Sequence, residues 1–215
     1  MMMAKPLEIL VVDNTLRNIN DAIDQLGQNY HTKKAYMKAE APDYVVPVTF
    51  ARSFDEGKKI LSDLIQDGKS VIMLSDLYMT TEDKELKTLM QKAFPLEIRC
   101  VGHDEGVSVK ELAHEDPLGI ILYLVNLSYG GRSGIVTSEG HHGTGLQCVL
   151  DFLRINDVGS EMYSSWGKAT KDWDSAAQIE TTNYFESFEH LKKEKVINAL
   201  KILGINPDTF LRGNK

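Results

Sequence analysis

The stretch Leu7-Glu8-Ile9-Leu10-Val11-Val12-Asp13 decides the fold class. An apolar run rich in β-branched residues is typical of a strand that is buried on both faces of a parallel sheet. The run ends at Asp13, so we expect a carboxylate at the carboxyl end of this strand. A helix should follow, capped by Asn14 or Thr15 and ended by Gly27. Four residues at helical spacing predict its apolar face: Leu16, Ile19, Ile23 and Leu26.

The remainder of the chain repeats this alternation of strands and helices. Further strands are predicted at residues 45–50, 71–74, 134–137 and 161–166, with a possible extra strand at 96–101. Pro47 favours an edge position or a bulge, and the polar residues 30–43 favour a loop. Helices are predicted after the capping box at residues 53–56, and at 82–94, 117–129, 146–153 and 188–203. Such alternation predicts an α/β protein with a doubly wound parallel sheet of five strands.

Composition excludes several classes of function. The formal net charge of −7 argues against nucleic-acid binding through a broad basic face. Cys100 and Cys148 lie far apart without a CxxC pair, which indicates a reducing compartment and no disulfide framework. No run approaches the roughly 18 apolar residues needed to span a membrane, and residues 1–6 show no export signal. We therefore expect a cytoplasmic protein with neither a membrane nor a nucleic-acid partner.

Polar residues follow three of the predicted strands. Asp13, Asp76 and Thr137 with Ser138 stand where strands end. Parallel strands would bring them to one rim of the sheet, where ligands of such folds gather. Two carboxylates suit Mg²⁺, which would cancel charge on an incoming phosphate and permit phosphoryl transfer. Each acid alone is also explained as a helix cap or a solvated loop residue, but their repeated placement after apolar strands favours a site.

Three short motifs resemble those of response-regulator receiver domains. Residues 9–14, Ile-Leu-Val-Val-Asp-Asn, are similar to the first strand of that family. Residues 73–79, Met-Leu-Ser-Asp-Leu-Tyr-Met, are similar to its phospho-acceptor strand, with an apolar residue directly after the aspartate and a methionine three places after it. Residues 135–138, Ile-Val-Thr-Ser, are similar to the strand that ends in the switch hydroxyl. The resemblance implies a flavodoxin-like sheet.

The resemblance also implies roles for individual residues. Asp76 would be phosphorylated by a histidine kinase, Asp13 and Asp76 would bind Mg²⁺, and Thr137 would contact the phosphoryl group. Lys168 is the match for the lysine that the family has after its fifth strand. The sequence departs from the family at Asn14, where a second acid is usual, and at Thr80, where a proline is common.

The resemblance further implies a domain organisation. The interval from Asp76 to Thr137 is longer than in the family, which indicates an insertion at about residues 80–116. We expect a receiver-like domain at residues 1–174 and a C-terminal helical extension at 175–215, packed on the same domain. Signalling would proceed through contacts with a histidine kinase or another protein, and a homodimer is compatible with this organisation.

Two alternative functions remain open from the sequence. The first is a pseudo-receiver, which keeps the fold as an interaction module without phosphorylation, because fold does not fix function. The second is a metal-assisted hydrolase centred on Asp13, Asp76, Glu139 and His141, with His142 beside them. The side chains of adjacent histidines usually point in different directions, however. The simpler interpretation is therefore that His141 and His142 shape the entrance of the site.

Overall fold

The helices and strands were located in a computed structural model of the chain. It describes residues 6–32, 44–94, 116–137, 149–150, 152–155, 162–164, 171–185 and 193–212, with the backbone alone at 137 and 162–164. The strands are β1 (Leu7–Val12), β2 (Asn29–His31), β3 (Val45–Ala51), β4 (Ser70–Ser75), β5 (Arg132–Thr137) and β6 (Met162–Ser164). The helices are α1 (Leu16–Leu26), α2 (Phe54–Gln66), α3 (Lys84–Ala93), α4 (Gly119–Ser128), α5 (Trp173–Phe185), α6 (Lys193–Ile202) and α7 (Pro207–Arg212).

The strands form one sheet in the order β2-β3-β1-β4-β5-β6. All neighbours from β3 to β6 pair in parallel, and the short β2 pairs antiparallel with β3 at the edge. The prediction of an α/β fold with a mostly parallel sheet is therefore confirmed. In the central pair, Val12 of β1 lies opposite Ser75 of β4, so both strands end at the same level.

Helices cover both faces of the sheet, as the doubly wound pattern requires. Met73 of β4 belongs to one core cluster, together with apolar residues of α2, α4 and α6. Its neighbours Ile72 and Leu74 belong to a second cluster, with residues of α1 and with Trp173 of α5. Successive residues of β4 therefore pack into cores on opposite faces of the sheet. This explains why residues 71–74 are all apolar and do not alternate between apolar and polar.

The second strand of the sheet was not predicted. β2 overlaps the start of the predicted loop at residues 30–43 and gives no periodic signal, because it has three residues of which only Tyr30 is buried. Its presence also corrects the prediction for Pro47, since β3 lies inside the sheet and not at its edge. Pro47 stands opposite Asn29, and the ladder continues through Val48, whose amide donates to the Gln28 carbonyl at 2.9 Å.

The apolar face predicted for α1 is partly wrong. Ile19 and Leu26 are buried, but Leu16 and Ile23 are 58% and 37% exposed. The buried stripe is completed by Ala22, a small residue that the apolar pattern did not single out. Since Leu16 and Ile23 lie at one margin of that stripe, the helix presents them to solvent while it packs on the sheet.

Helix caps set the starts of α2 and α3. α3 begins at Lys84 and not at Glu82, since the Asp83 side chain accepts from the amides of Glu85 and Leu86. The capping box of α2 forms, with Ser53 Oγ accepting from the Glu56 amide at 3.1 Å, although the Glu56 carboxylate accepts from the Arg52 amide instead of that of Ser53.

Two helices near the C-terminus were not predicted. The structure has α5 at Trp173–Phe185 and a short helix, α7, that begins at Pro207. The predicted elements at residues 96–101 and 146–148 lie outside the described residues. Within the described part of the chain, no helix is both long and apolar enough to cross a bilayer.

Candidate functional site

Asp13 and Asp76 lie side by side at the carboxyl edge of the sheet. Each directly follows its strand, and the parallel ladder continues through both, since the Asp76 amide donates to the Val12 carbonyl at 2.9 Å. The Asp13 amide donates to Ala51 of β3 at 3.1 Å, so Asp13 is anchored on its other side. The prediction that parallel strands bring these two acids together therefore agrees with the structure.

A buried lysine lies between the two carboxylates. Lys171 Nζ contacts Asp13 Oδ2 at 2.5 Å and Asp76 Oδ1 at 2.7 Å. Lys171 and Asp13 are fully buried, whereas the Asp76 side chain is 14% exposed. Because one ammonium faces two carboxylates, the cluster carries one net negative charge when all three groups are ionised. Asp76 is the acid of the pair that solvent can reach.

Asp13 is held by more than the lysine. Its Oδ1 accepts from the Thr15 amide at 2.7 Å, and the Asn18 side chain donates to Oδ2 at 3.1 Å. Asp13 thus caps the start of α1, a role that the sequence assigned to Asn14 or Thr15. Thr15 occupies the cap position, but its side chain makes no cap hydrogen bond. A buried carboxylate with this set of donors is satisfied without a further ligand.

The environment of Asp76 raises its pKa to about 6. Burial is the largest cause, because it penalises the charged form, and the negative charge of Asp13 acts in the same direction. The charge of Lys171, its hydrogen bond and that of the Leu77 amide lower the pKa and offset part of the burial effect. With a pKa near 6, Asp76 is mostly a carboxylate at neutral pH and is available as a nucleophile.

The backbone after Asp76 is packed directly against α4. A Cβ added at Gly119, the first residue of this helix, would lie 1.8 Å from the Asp76 carbonyl oxygen. The Gly119 amide donates to the Leu77 carbonyl at 3.0 Å, and Ser75 Oγ donates to the Asp76 carbonyl at 2.7 Å. The glycine is therefore needed for close approach, and α4 helps to fix the position of Asp76.

Lys171 is in turn positioned by α1. The Gln25 side chain donates to the Lys171 carbonyl at 3.0 Å, and its oxygen accepts from the Trp173 and Asp174 amides at 2.9 and 3.2 Å. Asp172 Oδ1 accepts from the Ser175 amide at 3.0 Å and caps α5. The backbone at Lys171 and in the first turn that follows it is thus fixed by hydrogen bonds to Gln25 and Asp172.

The other predicted site residues are less fully described. Thr137 is the last residue of β5, where it pairs with Ser164 of β6. It stands two positions after Ile135, and Ile135 lies opposite Ser75 of β4. The backbone therefore brings Thr137 to the same edge of the sheet as Asp76. Lys168, Ser138, Glu139, His141 and His142 lie outside the described residues.

Lys171 was not predicted as a site residue. Both Lys168 and Lys171 stand between two tryptophans, and both resemble ordinary exposed lysines. The available signal was the cap at Asp172 followed by Trp173, Ala176 and Ala177, whose spacing is helical and whose side chains are buried. A lysine directly before such a helix lies at the carboxyl edge of the sheet.

The described residues contain no group of three or more His, Cys, Asp or Glu side chains that could hold a metal ion. The cluster at the rim consists of one accessible carboxylate, a buried carboxylate and a buried ammonium. Comparison with known proteins adds no relative, since no family model, curated protein or solved structure matched the chain.

Proposed function

We propose that the chain is an atypical receiver domain that accepts a phosphoryl group on Asp76. The observation that carries this proposal is Lys171 Nζ, which lies between Asp13 and Asp76 at the ends of neighbouring parallel strands. The parallel strands follow the order second, first, third, fourth, fifth, which is that of flavodoxin-like sheets. In such sheets ligands bind at this edge, so the accessible carboxylate lies where a phosphodonor would approach.

The proposed reaction is a direct transfer between a phosphodonor and Asp76. A carboxylate oxygen of Asp76 forms a bond to phosphorus while the bond from phosphorus to the donor's leaving group breaks. The leaving group of a phosphohistidine is an imidazole nitrogen, which takes up a proton. Lys171 offsets negative charge on the transferred group at no cost of reorganisation, because it is already held beside Asp76.

A magnesium ion fits this site in part. Asp76 offers an accessible carboxylate oxygen, as Mg²⁺ prefers, and would hold the ion together with water. Asp13 would contribute charge from the interior rather than a ligand oxygen, since it has no exposed surface. When bound, the ion would supply charge cancellation on the phosphoryl oxygens. Asn14, which replaces a second acid, makes this metal site weaker than one with two accessible carboxylates.

The second candidate function is a pseudo-receiver that binds partners without being phosphorylated. The observation that favours it is that the Asp13 carboxylate is buried and already accepts hydrogen bonds from Lys171, Asn18 and the Thr15 amide. A cluster in which the buried Asp13 already has its donors can serve to hold α1 and α5 to the sheet. In that case Asp76 would be a structural acid, and signalling would rest on surfaces away from the rim.

Phosphorylation of Asp76 can be tested with acetyl phosphate. Incubation of the native chain with acetyl phosphate and Mg²⁺ is expected to add the mass of one phosphoryl group, measured on the intact protein. The Asp76→Asn variant should add none, because an amide is not a nucleophile for this transfer. Asp24→Asn, which removes an exposed acid of α1, should behave like the native chain.

Two outcomes would count against the proposal. No added mass under any condition would favour the pseudo-receiver. Equal labelling of native and Asp76→Asn chains would show that another residue is phosphorylated.

A histidine kinase is the proposed donor in the cell, and a reducing cytoplasm suits a chain with two distant cysteines.

A further inference from the structure

A groove beside α6 combines positive charge with apolar surface. Its cavity volume is about 600 Å³, and its described lining comprises Leu153, Arg154, Lys195, Asn198, Lys201 and Ile202. We call this the α6 groove. Among these lining residues three are cationic and none is acidic, although the chain as a whole carries a formal charge of −7. The charged residues in the described lining of the α6 groove are thus all cationic, in contrast to the negative charge of the chain.

Apolar side chains are exposed in and beside the α6 groove. Ile202, at the end of α6, is 47% exposed, and Phe152, next to the lining residue Leu153, is 39% exposed. The other side of α6 is buried, with Val196, Ala199 and Leu200 packed in the core cluster that also contains α4. The helix is thus held by its buried face, which leaves Lys201 and Ile202 available to a ligand.

Arg154 is in a backbone conformation that normally belongs to glycine. Its φ is +57°, and it is the one non-glycine residue with positive φ in the described part of the chain. The Ile155 amide donates to the Leu150 carbonyl at 3.0 Å, so Arg154 stands at the position that ends a helix in the left-handed conformation. Glycine takes this position without strain, whereas an arginine is strained there. Residues in strained backbone conformations cluster at functional sites, which favours a functional role for the Arg154 side chain.

We propose that the α6 groove binds an acidic segment of a partner protein that also carries aliphatic side chains. Arg154 and Lys201 would face carboxylates of the segment, and Leu153 and Ile202 would contact its aliphatic side chains. Arginine suits this role because its planar guanidinium can bind a carboxylate through two hydrogen bonds. The inference does not depend on phosphorylation of Asp76, since it concerns a separate surface.

A protein segment fits the α6 groove better than a nucleic acid does. Three cations on a protein of charge −7 are few for a phosphate backbone, whose binding relies on many clustered lysines and arginines. Among the described lining residues the apolar members are Leu153 and Ile202, so the only exposed ring described near the groove is that of Phe152, whereas single strands are usually bound on several stacking rings. Charge complementarity together with aliphatic surface is the usual basis of protein recognition.

The inference can be tested with labelled peptides and the full chain. A fluorescein-labelled peptide of alternating glutamate and leucine is expected to bind the native protein, measured by fluorescence anisotropy at low salt. A matched peptide with lysine in place of glutamate should not bind. Lys201→Glu should weaken binding by about tenfold, because a charge that attracts the peptide then repels it. Lys87→Glu, an exposed charge change on α3, should leave binding unchanged.

Arg154→Gly separates binding from folding. This variant removes the cation and places glycine at a position that favours it, so we expect weaker peptide binding together with an unchanged or higher melting temperature. Failure of the native chain to distinguish the glutamate peptide from the lysine peptide would overturn the inference. So would equal losses in Lys201→Glu and Lys87→Glu, or an equally tight complex with a single-stranded oligonucleotide.

Discussion

Replacing Lys171 with methionine is expected to lower the free energy of unfolding at pH 7 by about 3–5 kcal/mol, the usual cost of removing one partner from a buried ion pair. Methionine keeps most of the apolar stem, so the loss reports the charge rather than the volume. Asp13 would remain buried without its cation, and Asp76 would lose its contact at 2.7 Å. Urea denaturation followed by circular dichroism measures the change.

The loss in Lys171→Met should depend on pH in a defined direction. Lys171 lowers the pKa of Asp76, so its removal raises this pKa above about 6, while the unfolded value stays near 3.8. A raised pKa means that the folded state binds the proton more tightly than the unfolded state does. The free energy of unfolding therefore falls as pH rises from about 3.8 to the raised pKa of the folded state. The variant should therefore lose less stability at pH 5 than at pH 7.

A double variant provides the control for this prediction. Asp13→Asn combined with Lys171→Met should lose less stability than the sum of the two single changes, because the pair contacts directly at 2.5 Å. Additive losses would show that the two side chains do not interact. A loss below about 1 kcal/mol for Lys171→Met alone, as for an exposed ion pair, would also contradict the buried geometry.

Gly119→Ala is expected to lower the free energy of unfolding by about 3 kcal/mol or more, since overpacking against backbone cannot be relieved by a side-chain rotation. The added Cβ would lie 1.8 Å from the Asp76 carbonyl oxygen and 2.8 Å from Ser75 Oγ. Either α4 or the segment after β4 must shift. Because that segment carries Asp76, labelling by acetyl phosphate should fall as well.

Gly68→Ala is the matched control for this prediction. Gly68 has a φ of +73° and open space where a Cβ would be added, so the substitution introduces backbone strain without a clash. Its cost should be about 1–2 kcal/mol, with no effect on labelling of Asp76. Equal losses in the two variants would show that conformation, and not close approach to Asp76, explains the need for Gly119.

The rim of the sheet was largely predictable, because its signals are local. Residues 9–12 of β1 and 71–74 of β4 are apolar runs that are buried on both faces of the sheet, and an acid follows each run within two residues. The carboxyl ends of parallel strands meet at one edge, so a shared edge for Asp13 and Asp76 followed from the strand assignments. Their direct proximity depends in addition on the pairing of β1 with β4, which the strand patterns did not specify.

The lysine was not predictable in the same way, because its partners are distant in the chain. Lys171 and Asp13 are separated by 158 positions, and the one local feature that distinguishes Lys171 from Lys168 is the helix start that directly follows it. The packing of α5 on the sheet decides which lysine reaches the rim. The same limit applies to α1, where Ala22 is buried and Leu16 is exposed because the rotation of the helix is set by the sheet beneath it.

The most direct test of the account is an NMR titration of the Asp76 carboxyl carbon in the native and Lys171→Met chains. We expect a midpoint near pH 6 in the native chain, because burial outweighs the attraction of Lys171. We expect a higher midpoint in the variant, because that attraction is then absent. A native midpoint near 3.8, the ordinary value, or identical midpoints in both chains would contradict a lysine held between two carboxylates at the rim.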